Sequence, residues 1–393
     1  MCQSGTKDLY NHSVQLNRWF LKPIGAWPRS SATTKSERTV SNALIFICYF
    51  LIALTVLPCI LNLLFEEKNL DLKLRMIGPL SHWSMGGMNY CFLLLRNADI
   101  LRCVQHMETD WRITRRPQDR DIMAKNARLG RFVAGICAVC MHSGVYIYSV
   151  VAGMKTIEVS IGNKSVPMVQ LPCPVYSKFV DTRFSPAREI MLVMQLLSGF
   201  VVNSVIVGAC SLAAVFAMHA CGQLDILTLR LNNLVEDQDE KKNDSANKKM
   251  ADIVDHHLRV LRFITYIEKV MNQICLVELV GCTFNLCMIG YNTITWWHKI
   301  DTSAIVAYVI VYASMSFNVF IFCYIGEILT EQCKKVGETA YMIDWYYIPH
   351  KTALGLILII SRSGAVIKIT AGKLIQHSIE TFSEVSINKL FFF

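Results

Sequence analysis

Six apolar runs fix the class of this chain. Asn42–Leu64, Met76–Leu95, Phe132–Gly153, Ile190–Leu224 and Ser303–Gly326 contain no Asp, Glu, Lys or Arg, and Val270–Trp297 contains one, Glu278. A helix needs about 20 mostly apolar residues to cross a hydrocarbon core of roughly 30 Å. Every run qualifies, and Ile190–Leu224 is long enough to project beyond the bilayer. A seventh segment, Leu374–Phe393, is apolar on one face only. At 53% hydrophobic over 393 residues, the chain exceeds what a soluble domain would carry. The expected fold is all-α, a polytopic membrane protein with seven transmembrane helices. Segment 1–41 has no apolar core and is interrupted by Lys7, Arg18, Lys22, Arg29, Lys35 and Arg38, so no cleavable signal peptide is expected and the first span serves as the insertion signal.

Lys and Arg are retained on the cytoplasmic side, so their distribution over alternate connections sets topology. Segment 1–41, the loop after the second run, the loop after the fourth and the stretch after the sixth hold 26 of them, against 9 in the intervening set. The N-terminus is therefore expected in the cytoplasm, the reverse of a G-protein-coupled receptor. The net charge of +9 then reads as a topology signal, and no nucleic-acid partner is expected. Asn163-Lys164-Ser165 is a glycosylation acceptor pattern in the long loop assigned outside. The same pattern recurs at Asn11 and Asn243, in segments assigned inside.

Of fifteen cysteines, eleven lie in or at the ends of apolar runs, and Cys173 alone lies in an outward loop. No extracellular disulfide framework is expected. Cys137-Ala138-Val139-Cys140 has metal-site spacing but sits inside the third run, where it reads as small apolar packing. Neither a metal nor a cofactor is expected, and no paired-His motif, phosphate loop or nucleophile elbow suggests an enzyme.

The stretch Glu236–Lys249 has no apolar residue before Ala246 and reads as a mobile loop. Beyond it Ile253, His257, Leu258, Leu261 and Ile264 recur at helical spacing, so the fourth and fifth spans are expected to continue into the cytoplasm as a packed pair. Between the sixth run and the last segment, Ala340–Ser361 is broken by Pro349 and His350, and its apolar run of about ten residues is too short to span. It reads as a cytoplasmic helix in a protein core.

Drawn on a helix, Leu374–Phe393 places Ile375, Ile379, Phe382 and Val385 on one stripe and Gln376, Glu380, Ser383 and Glu384 on another. Polar groups at membrane depth face protein or water, so a pore-lining helix and an interfacial or cytoplasmic helix both fit. Glu278, inside a span, reads either as a cation-attracting site or as the hydrogen-bond partner of a neighbouring helix, with the second favoured.

Ser316–Thr381 carries a distinctive set of short motifs: Phe317-Asn318, Phe322-Cys323-Tyr324-Ile325-Gly326-Glu327, Ala340-Tyr341 with Trp345, Ser361-Arg362-Ser363, Lys368-Ile369-Thr370-Ala371-Gly372-Lys373 and Thr381-Phe382. In these it resembles the C-terminal region of insect odorant receptors. Met107-Glu108-Thr109-Asp110-Trp111, Lys178–Pro186 and Ser198-Gly199-Phe200 fit as well, so the resemblance covers nearly the whole chain. It implies a seven-helix subunit with its N-terminus inside, as the charge count indicates. Such a subunit assembles with the co-receptor Orco into a heterotetrameric, odorant-gated, non-selective cation channel in the plasma membrane of olfactory sensory neuron dendrites. The implied organisation is a cytoplasmic segment 1–41, a bundle over 42–326 with the odorant pocket in its outer half, a cytoplasmic anchor over 327–373, and a pore helix over 374–393. Lipid surrounds the bundle, and signal transduction is ionotropic.

The resemblance places the pocket among spans two, three, four and six, where His82, Trp83, Tyr146, Val150, Met191, Gln195, Tyr308 and Tyr312 lie at outer depths. An apolar, aromatic cavity with few polar handles suits a volatile ligand. From Ser386 to Phe393 (SINKLFFF) the chain departs from the family pattern, and Lys389 falls at membrane depth. This end implies an altered coding end or a defective gate. An insect gustatory-type receptor is the runner-up, but its usual Thr-Tyr opening and Gln-Phe ending are replaced here by Thr370-Ala371 and Thr381-Phe382. A G-protein-coupled receptor would need the opposite orientation and signatures this chain lacks. A transporter would show repeated halves.

Overall fold

The computed structural model describes residues 2–30, 33–154, 156–161, 164–169, 171–182, 184–236, 243–295, 302–364 and 368–383. In chain order its helices are α1 (Cys2–Leu21), α2 (Lys35–Leu61), α3 (Leu70–Leu95), α4 (Asn97–Ile113), α5 (Pro117–Met154), α6 (Ala187–Glu236), α7 (Asn243–Thr295), α8 (Thr302–Met342) and α9 (His350–Gly364). The described residues of all six apolar runs lie in helices, the first run ending in a π turn. Five of these, α2, α5, α6, α7 and α8, are apolar enough over their length to cross a membrane. The exception is α3, whose 26 residues include Ser81, His82, Ser84 and Asn89. Two of these find partners inward: Ser81 donates to Asn285 at 2.8 Å, and Asn89 donates to Glu278 at 2.5 Å.

Buried α6 forms the centre. From Val201 to Leu224 every residue is buried. Its small residues Ala209, Ala213, Ala214, Ala217 and Ala220 let α2, α3, α5, α7 and α8 come close on all sides. Helix α1 was not foreseen. Its apolar face (Tyr10, Val14, Leu21) enters the core, Ser211 of α6 donates to Asn17 at 2.6 Å, and Arg131 of α5 donates to the His12 carbonyl. The N-terminal segment thus wedges into one end of the bundle, here termed the basic end, and the opposite end is termed the far end. At the start of α2 a capping box (Thr34 with Glu37) satisfies first-turn amides. The helix closes in a π turn, Asn62–Glu66, a few residues after Pro58.

As expected, α6 and α7 both extend past the apolar runs and pack together, and α9 packs on α8 and α7. The loop expected over Glu236–Lys249 is shorter: α7 already begins at Asn243, and 237–242 fall outside the described residues. At the far end β1 (Thr156–Ile161) and β2 (Lys164–Val169) form an antiparallel hairpin, where only a loop was expected.

The expected helix from Leu374 needs correction. Thr370–Ala371 (β3) and Ile375–Gln376 (β4) form a two-residue antiparallel ladder, and the chain turns helical only at 379–383. Gly372 at φ 63° and Lys373 at φ 60° make the turn, a backbone region costly for other residues and cheap for glycine. The side chain of Glu268 on α7 accepts from the Thr370 amide at 2.9 Å, and the Asn272 carbonyl accepts from the Gly372 amide at 3.0 Å. Side-chain periodicity alone could not see these ties.

Candidate functional site

At the far end, the loop over 171–182 folds back between α2 and α6. Leu171, Val175 and Met191 form a small hydrophobic cluster separate from the main core, with Leu54, Val180 and Leu192 packed against it. Trp83 is buried in the main core, and its indole N–H donates to Ser198 of α6 at 3.1 Å. The preceding residue, His82, sets its ring edge-on to Trp83 at 6.1 Å. Both His82 ring nitrogens are shielded from solvent and have no hydrogen-bond partner among the described residues. A buried imidazole without a partner leaves desolvated polar atoms that a ligand could satisfy.

Of the eight residues expected to line this site, His82, Trp83 and Met191 turn inward, and Tyr308 is half-buried. Gln195 is buried but committed elsewhere: its amide clasps the Cys173 backbone, accepting at 3.1 Å and donating at 2.7 Å. Tyr146 (71% exposed) and Val150 continue an outward stripe of α5 that includes Phe132 and Val139. Tyr312 shares the exposed face of α8 with Val309. All three thus present their side chains to the outside of the bundle. Two residues along α5 from Tyr146, Tyr148 lies within electrostatic reach of Tyr308 and Cys173. Asn163 and Glu384 lie outside the described residues.

A cleft of about 1850 Å³ opens at the basic end, lined by Arg18, Lys22, Arg29, Glu37, Glu108 and Arg112 among others. Its mixed charge and openness to solvent do not suit an apolar ligand.

Mid-bundle, Glu278 resolves in favour of its structural reading. Fully buried, it accepts from Asn89 of α3 at 2.5 Å and Asn318 of α8 at 2.6 Å, tying three helices together. At the basic end Asp110, from the Met107–Trp111 motif, is also buried, and it pairs with Arg259 at 2.6 Å and with His219 at 3.0 Å.

Toward the end of the chain Gln376 accepts from Lys368 at 2.6 Å within the hairpin. Glu380 and Ser383 are exposed on the short helix at 379–383, while Phe382 packs edge-on against Phe320 of α8 at 5.4 Å. The backbone at His377 lies so close to Gly326 that a Cβ there would stand 2.6 Å from the His377 carbonyl oxygen. Among the described residues no His, Cys, Asp or Glu group is arranged to hold a metal ion.

Long apolar helices around a buried central one, with an aromatic and partly unsatisfied cluster at one end, define a multi-pass α-helical membrane receptor. The family model described as 7tm Odorant receptor matches residues 86–388, and the chain belongs to that family. Among curated relatives it is similar to Odorant receptor 82a of Drosophila melanogaster, 22% identical over 68% of each chain. It is also similar to Odorant receptor 13a of the same species, 20% identical over 83% of this chain and 78% of that one. The fold matches the insect olfactory receptor OR5 from Machilis hrabei with a TM-score of 0.79, at 13% identity over 97% of each chain. The same receptor in complex with eugenol matches with a TM-score of 0.77 at 10% identity, over 98% of this chain and 96% of that one. The protein is therefore an odorant receptor, not an enzyme.

Proposed function

We propose that this chain is the odorant-binding subunit of a ligand-gated, non-selective cation channel formed with Orco as a heterotetramer. Its N-terminus lies in the cytoplasm, and the channel resides in the plasma membrane of olfactory neuron dendrites. The charge asymmetry supports the orientation, with the basic end inside. The observation that carries the ligand site is His82, unsatisfied among aromatic and apolar neighbours at the far end. The solved complex of OR5 with eugenol supports a small organic ligand. His82, Trp83, Met191, Tyr148 and Tyr308 bind it, and the outward-facing Tyr146, Val150 and Tyr312 do not.

Subunit assembly is supported at the basic end. Leu354, Ile357 and Leu358 of α9 are exposed together with Tyr341, Met342 and Trp345–Tyr347, an apolar surface of the kind that marks protein interfaces. The pore-lining role passes to Glu380 and Ser383, on the short helix, while Gln376 belongs to the hairpin. The close packing of Gly326 against His377 then couples α8, which carries Tyr308, to the start of the pore segment.

Dose–response curves in cells expressing the chain with Orco test the pocket. His82→Phe should weaken responses to hydrogen-bonding odorants at least tenfold and spare purely hydrocarbon ones, whereas Tyr146→Phe should change neither. Equal potency of wild type and His82→Phe toward hydrogen-bonding odorants would remove His82 from the site.

A further inference from the structure

The folded chain supplies the partner that Cys173 lacked in the loop count. Cys59 lies one residue after Pro58 near the far end of α2, inside an apolar run, so a count of loop cysteines passes over it. Hydrogen bonds draw the loop over 171–182 against that end of α2 and against α6. The Tyr176 amide donates to the Pro58 carbonyl at 3.3 Å, and Asn62 donates to the Val175 carbonyl at 3.4 Å. On the other side the Gln195 side chain clasps the Cys173 backbone through two more. Held this way, Cys59 and Cys173 are brought together across the junction of the loop and α2, near enough for their side chains to interact. Both residues are almost fully buried, and both stand as free thiols.

We propose that Cys59 and Cys173 form an intramolecular disulfide that ties the far end of the first span to the loop before the fourth. The proposal rests on the orientation given above, which puts the far end on the oxidising side during biosynthesis. The oxidant is the disulfide of a secretory-compartment dithiol oxidoreductase. One receptor thiolate attacks a sulfur of that disulfide and expels the other as a thiolate, leaving a mixed disulfide. The second receptor thiolate then attacks the receptor sulfur of the mixed disulfide and releases the oxidoreductase. Two electrons and the two thiol protons pass to the oxidoreductase, which leaves as a dithiol.

The bond would brace the wall of the ligand site, because Leu171 and Val175, on either side of Cys173, pack with Met191. A second close pair serves as an internal reference. The Cys137 and Cys210 sulfurs lie 3.3 Å apart between α5 and α6, in the interior of the bundle where no oxidoreductase reaches.

The test uses full-length receptor expressed with Orco. Membranes are denatured in light N-ethylmaleimide, reduced, relabelled with the heavy isotopologue and analysed by peptide mass spectrometry, with a non-reduced digest to identify linked peptides. An N-terminal epitope stained in intact and in permeabilised cells reads orientation separately. The expected result is heavy label on Cys59 and Cys173, a linked Cys59–Cys173 peptide, and light label on Cys137 and Cys210. Light label on both Cys59 and Cys173 overturns the disulfide. If the epitope stains only after permeabilisation, the disulfide alone is wrong; if it stains on intact cells, the orientation falls with it. As a second reading, Cys59→Ser should turn Cys173 from heavy to light, and heavy Cys173 in that variant would contradict the pairing.

Discussion

The Asp110 carboxylate, itself almost fully buried, forms an ion pair with the Arg259 guanidinium at 2.6 Å. Burial alone would push this carboxyl up. The hydrogen bond from His219 and the charges of His219, His106 and Arg259 outweigh it and hold the group below its usual range. The pair joins α4 to α7, and His219 adds α6, so one side chain of a short motif holds the basic end together. Asp110→Asn leaves Arg259 without its buried counter-charge. It should cost about 3–5 kcal/mol, seen as a lowered melting transition or loss of monodisperse protein on size-exclusion chromatography. A transition unchanged from wild type would show that the node carries no structural load.

Acid should loosen the same end at milder pH, through other groups. Burial pushes His256 down to about 4, helped by the neighbouring Arg230, and His257 down to about 4, helped by Arg362. In the unfolded chain both titrate near ~6.5. Between those values the unfolded state binds more protons, so their contribution is complete above pH ~6.5 and is lost as pH falls toward 4. The loss is roughly 1–2 kcal/mol each at pH 5. Asp110 does not contribute in this window, because its lowered value keeps its contribution intact until pH drops below ~3.9. Thermal stability should fall from pH 7 to pH 5, and His256→Gln should flatten the slope.

Glu278 separates two roles by two substitutions. Asn89 and Asn318 each donate to it and each leave a side-chain carbonyl unpaired among the described residues, so Glu278→Gln can be accommodated by turning one amide. Glu278→Leu strands two buried amides, at about 1–3 kcal/mol apiece. The Gln variant should express and conduct like wild type, and the Leu variant should lose surface expression. Normal expression of Glu278→Gln with altered cation permeation would instead restore the cation-site reading.

Gly326 and Gly372 report on coupling between the bundle and the last segment. A methyl at Gly326 meets the His377 carbonyl, and one at Gly372 stands 2.8 Å from the Leu276 side chain on a backbone at φ 63°. Gly326→Ala should disturb channel opening more than ligand affinity, measured as reduced maximal current with little shift in half-maximal concentration. Gly372→Ala should destabilise the hairpin by about 1 kcal/mol or more.

How much of this was legible follows from what each signal depends on. The six apolar runs were readable because charge exclusion over some 20 residues is a property of the chain alone, and the continuation of α6 and α7 followed from helical periodicity beyond Met250. The hairpin at Thr370–Gln376 was not readable, since it depends on Glu268 and Asn272 about a hundred residues earlier. Which pocket candidates face inward was not readable: Tyr146 and Tyr148 differ by two positions and so by slightly more than half a turn. Only the packing of α5 on α6 and α8 decides which one faces inward. The fate of Cys59 and Gln195 likewise depends on a loop whose path no local pattern encodes.

The most direct test is whole-cell recording from cells that express this chain with Orco, with G-protein signalling blocked by a non-hydrolysable guanine nucleotide diphosphate in the pipette. An odorant that activates the receptor should evoke a cation current of undiminished amplitude, reversing near 0 mV and dependent on both subunits. A current abolished by the block, or one carried equally well by Orco alone, would contradict the assignment of this chain as a ligand-gated channel subunit.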